Sequence, residues 1–71
     1  MTESEILRVL LTNWIEHNQE HAAQYRRWAK NASEISHDIL AAEESLMFAN
    51  QALIKALNKL GGPMDIQYTH N

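Results

Sequence analysis

Residues 7–32 read LRVLLTNWIEHNQEHAAQYRRWAKNA, and the spacing inside this stretch decides the fold. Leu7, Leu10 and Trp14, then Tyr25, Trp28 and Ala32, follow the three- and four-residue steps of one helical face, with His17 and His21 filling the turns between. Two polar residues thus stand where packing asks for leucine. On a packing seam a polar side chain must be hydrogen-bonded, metal-bound or exposed, because an unpaired buried polar group costs about 1–3 kcal/mol. The stretch predicts a long amphipathic helix with a special layer at His17 and His21.

Working outward, the helix is expected over about residues 3–30, opening at Thr2 or Ser4 with Ser4 as the candidate N-cap. Glu3 and Glu5 then sit at the positive end of the helix dipole, and Arg26, Arg27 and Lys30 at the negative end. Asn31, Ala32 and Ser33 form the break. Asn31 tolerates a left-handed conformation, and Ser33 or Ser36 can cap a second helix over about residues 34–60. That helix carries Ile35, Ile39, Ala42, Leu46, Ala49, Leu53, Leu57 and Leu60 at near-heptad spacing. Gly61, Gly62 and Pro63 stop it. Residues 63–71 read as a loosely ordered tail, and no stretch alternates with period two.

The fold class is therefore all-α, an antiparallel two-helix hairpin. At 71 residues without cysteine, the chain cannot rely on disulfides, and a domain this small buries only about 60% of its unfolded surface. Ile6, Leu11 and Ile15 beside the first stripe, and Leu40, Met47 and Ile54 beside the second, need another layer. A homodimer closing into a four-helix bundle supplies it. Trp14, Trp28, Leu46 and Leu53 are expected to fill that core or dimer interface.

Six basic residues against nine acidic ones, a net charge of -3, exclude a nucleic-acid interface. No apolar run approaches the ~18 residues needed to span a bilayer, and the N-terminus lacks a signal pattern. These features imply a soluble cytoplasmic protein.

A joint near residue 32 sets residue i opposite about 64 minus i. His17 then faces Leu46 and Met47, His21 faces Ala42 and Glu43, and Asn13 faces Asn50, with Glu20 and Glu44 flanking. A histidine pair at i and i+4 with a facing carboxylate is a way to hold a metal ion in a bundle. His17, His21 and Glu43 are the candidate ligands, and Asn13, Glu20 and Asn50 would support them from outside. Nitrogen and oxygen donors without sulfur suit zinc, nickel or cobalt. Because residue 18 is Asn, the run from His17 to His21 is not the His-Glu-x-x-His of metalloproteases, and the chain is read as non-enzymatic. The alternative is a protein–protein interaction module whose histidines fix register and bind nothing. His37 and His70 are read as solvated.

Asn13-Trp14-Ile15-Glu16-His17-Asn18-Gln19-Glu20-His21-Ala22, continuing through Tyr25, Trp28 and Ala29, resembles a pattern in small helical-hairpin domains of bacteria and archaea. Their form is roughly His-Trp-Ile-Glu-His-Asn-x-Glu-His-Ala, then an aromatic, then Trp-Ala. Ala49-Asn50 followed by spaced leucines is similar too. The resemblance covers about two-thirds of the chain and carries no established activity. It implies a hairpin with histidines at helical spacing, some copies accompanying metal-handling proteins. Two departures bear on that role: Asn13 replaces a histidine, and the stretch from Trp28 to Ala49 is shorter.

Overall fold

The computed structural model describes residues 1–64, and among them there are two long helices and no strand. Helix α1 runs Glu3–Ala29 and helix α2 runs Ser36–Lys59, with a 3-10 turn at Ser33–Ile35 leading into α2. They pack against each other as the antiparallel hairpin that the periodicity predicts. Residues 65–71, with His70 and most of the expected tail, lie outside the described residues.

The first helix starts at a different cap from the one expected. Thr2, not Ser4, is the N-cap: its Oγ1 accepts from the Glu5 backbone N–H at 3.1 Å. The Glu5 carboxylate accepts from the Thr2 N–H at 2.9 Å, which completes a capping box. Thr2-x-x-Glu5 wins because Ser4 has Leu7 three residues on and no side chain to return the bond. Arg26 and Arg27 lie in the last turn of α1, as expected of its negative end.

The joint departs from expectation in conformation. Asn31 does not carry the left-handed turn; Ser33 does, at φ 54°. The connection therefore bends late, and Asn18 and Asn50, which pair across the hairpin, are symmetric about residue 34 rather than 32. This offset moves every cross-helix partner by about one helical turn.

Gly61 and Gly62 close α2 at φ 105° and 88°. The Gly62 N–H donates to the Leu57 carbonyl at 2.9 Å and the Gly61 N–H to that of Asn58 at 3.1 Å, a Schellman arrangement. Arg8 ties this end to α1, its Nε donating to the Gly62 carbonyl at 2.7 Å and its Nη2 to that of Pro63 at 3.1 Å. Pro63, expected to open the tail, is thus fastened to the first helix.

The core is small. Leu11, Ile15 and Leu57 form its buried cluster, with Leu53 and Leu60 packed against it near the open end of the hairpin. Ala22 and Ala29 continue the seam toward the joint. No large side chain is fully buried among the described residues. No described helix is long and apolar enough to cross a membrane.

Candidate functional site

The seam inside the hairpin is not the stripe through Trp14 and the histidines. It follows Leu11, Ile15, Asn18, Ala22 and Ala29 on α1, and Glu43, Asn50 and Leu57 on α2. Helix α1 carries two neighbouring apolar stripes, and the one with fewer large residues packs inward. Its alanines let the helices approach closely. The richer stripe is turned outward, which corrects the expected burial of His17, His21, Trp14 and Trp28.

Midway along the seam sits a polar layer. Asn18 Nδ2 donates to Asn50 Oδ1 at 2.9 Å, and Asn50 Nδ2 donates to the Ile15 carbonyl at 3.1 Å. One step nearer the joint, buried Glu43 accepts from Arg26 Nε at 2.6 Å. These bonds satisfy the buried polar atoms of the layer. A cleft of about 260 Å³ opens beside it, bordered by Gln19, Ala23, Arg26 and Met47.

The site residues expected from sequence are redistributed accordingly. Glu43 is paired with Arg26 rather than with the histidines, and Asn50 meets Asn18 rather than Asn13, each shift being about one turn. His17 is 71% exposed in its side chain, with Nδ1 3.9 Å from Glu20 Oε1. His21 is exposed and its ring lies 6.4 Å from that of Tyr25. Asn13 is exposed, and Leu46 and Leu53 are half-buried. Trp28 is exposed with the Arg27 guanidinium 5.8 Å over its ring. Among the described residues of one chain, no group of three or more His, Asp or Glu side chains is placed to hold a metal ion. Sequence reasoning missed Asn18 and the cross-helix role of Arg26. A residue-34 centre sets Asn18 opposite Asn50 and brings Arg26 to within one residue of Glu43.

The outward stripe has its own order. The cleft brings Gln19 and Arg26 of α1 beside Met47 of α2 on one side of the hairpin. In an antiparallel pair like flanks share a side, so the opposite flanks share the other. There α1 presents Leu7, Trp14, His21 and Trp28 in one seven-residue row and Leu10, His17 and Gln24 in the next. Helix α2 presents Ile39, Leu46, Leu53 and Leu60, then Ile35, Ala42, Ala49 and Ala56. These rows contain no Asp, Glu, Lys or Arg. His17 and His21 are the only ionisable groups within them, and they lie mid-length along an otherwise uncharged face.

A family model described as Domain of unknown function (DUF8180) matches residues 7–60, which is more than half of the chain. No curated protein matches, and no solved structure does.

Proposed function

The chain belongs to the DUF8180 family of domains of unknown function, and we propose that it is a non-enzymatic interaction module whose partner is a second copy of itself. Two hairpins close through the uncharged face into a four-helix bundle.

The observation that carries this reading is the face itself. At about 200 Å² for a large side chain, exposures of 43% at Leu7, 37% at Leu10, 45% at Trp14 and 63% at Trp28 leave on the order of 400 Å². Half-buried Leu46, Leu53 and Leu60 beside them, with the exposed alanine row of α2, enlarge a patch already as large as those that ordinarily mark a functional surface. A stable interface buries roughly 800 Å² per partner, so Leu7, Leu10, Trp14 and Trp28 alone supply about half of it. A second copy fits because the rows themselves carry no fixed charge, with Glu20 and Arg27 at their margin, and two-fold symmetry needs only one self-complementary patch. The second copy covers Trp14 and Trp28, whereas Met47, with Leu40 and Ile54 in its seven-residue row, stays on the cleft side outside this layer. A chain without cysteine has no disulfide to form, which accords with a cytoplasmic setting, where disulfides are rare.

Tryptophan accessibility tests the reading. On raising the protein concentration, Trp14 and Trp28 should become shielded from acrylamide quenching with a blue-shifted emission. Emission that stays red and quenchable at every concentration would contradict self-association. Shielding that appears only with lipid vesicles, or only with a different helical protein, would give the face to that occupant instead.

A further inference from the structure

We infer that His17 and His21 of two chains together form one imidazole site for a divalent transition-metal ion, at the centre of the homodimer interface. This rests on the homodimer reading above, and it places the site between chains rather than inside the hairpin. Inside the hairpin, Glu43 is engaged by Arg26 and turned to the seam, so it offers the histidines nothing. On the outer face the two histidines stand one helical turn apart, free of any strong partner. Two imidazoles at i and i+4 on a helix can hold one zinc-like ion, and such a pair falls two ligands short of a tetrahedral shell.

Symmetry supplies the other two. The uncharged rows of α1 extend from Leu7 to Trp28, and His17 and His21 occupy their middle. A two-fold axis along the helices sets the histidines of both copies at one level. An axis across the helices that superposes the row midpoints, between residues 17 and 18, brings the two His17 to one level but sets each His21 about one turn to either side, so the four-imidazole site belongs to the axis along the helices. The surroundings favour ligation: Trp14 and Trp28 bracket the layer on the same row and exclude water once the face closes. Four ring systems enclosed there without an ion would leave nitrogen atoms unpaired, at a cost. Glu20 Oε1 lies 3.9 Å from His17 Nδ1, too far for a hydrogen bond here, and a small side-chain movement would let it accept from that nitrogen and leave Nε2 for the metal. Neutral imidazole donors alone suit zinc, nickel, cobalt or copper.

The test is a calorimetric titration of the chelator-stripped, tag-free full chain with zinc chloride, run beside a sedimentation measurement of mass with and without zinc. The expected result is one zinc per two chains. His17→Ala and His21→Ala should each lose more affinity than the roughly 10–100-fold that removing an outer supporting group costs. A Trp14→Glu chain, made monomeric, should lose binding although both histidines remain. Cobalt substituted for zinc should give the intense visible bands of a four-coordinate site. A dimer that takes up no zinc would overturn this inference and leave the homodimer reading standing. One zinc per chain, with affinity unchanged in Trp14→Glu, would overturn the shared site. A folded monomer at every concentration, with or without zinc, would overturn the homodimer reading and this inference with it.

Discussion

At the scale of single residues, the hairpin is specified by polar contacts more than by its few core leucines. Asn50 joins three groups, Asn18, the Ile15 carbonyl and its own backbone helix, at a buried position. Replacing Asn50 with Ala leaves the Ile15 carbonyl and the Asn18 amide without that partner, and should cost about 1–3 kcal/mol in a urea melt. Replacing it with Leu should cost less, because apolar packing offsets the lost bonds while register specificity weakens. Glu43 is a sharper case. Arg26→Ala strands a buried carboxylate and should destabilise by about 1–3 kcal/mol, whereas Glu43→Gln, which keeps the shape without the charge, should be the milder change. Equal, negligible effects of both in chemical denaturation would show that the pair contributes nothing.

Neither residue pair was legible from its own local sequence. Arg26 reads as a helix-dipole partner, which it also is, and Asn18 reads as an interruption of a metalloprotease motif. Their roles depend on which residue of α2 lies opposite, and that depends on the joint. A left-handed Ser33 followed by a 3-10 turn is too local and too irregular for hydrophobic periodicity to register. The error it introduced was only about one turn, yet one turn separates His21 from Arg26 as the partner of Glu43.

At the scale of elements, sequence punctuation was far more readable. The glycine pair and proline after Leu60 marked the end of α2, and the structure realises them as a Schellman closure fastened by Arg8. Gly61 sits at φ 105°, where a Cβ is strained, so Gly61→Ala should lower stability by about 1 kcal/mol. A thermal melt showing no change would mean the closure relaxes freely. At the other end Thr2→Ala removes half of the capping box and should cost about 1 kcal/mol, with hydrogen exchange rising first in the opening turn of α1. The histidine stripe illustrates the opposite outcome. Period analysis found a real helical face through Leu7, Trp14, His21 and Trp28, but periodicity reports that a face is apolar, not which neighbour covers it. Alanines at 22 and 29 decided the inner seam by allowing close approach, a signal weaker than two tryptophans.

At the scale of the whole molecule, one hairpin is a single layer with its thinnest extent only 13 Å. Layers of this kind become stable by stacking on another. We place the second layer on the uncharged rows turned away from the polar cleft, and any metal chemistry at the histidines in their middle. The most direct measurement is sedimentation equilibrium of the full chain beside Trp14→Glu over a wide concentration range. The expected result is a homodimer, a species of twice the 8.2 kDa chain mass for the native sequence. The variant should run at a single-chain mass, since a carboxylate in the centre of an apolar interface cannot be paired. A native chain that stays folded and at 8.2 kDa throughout would contradict the homodimer.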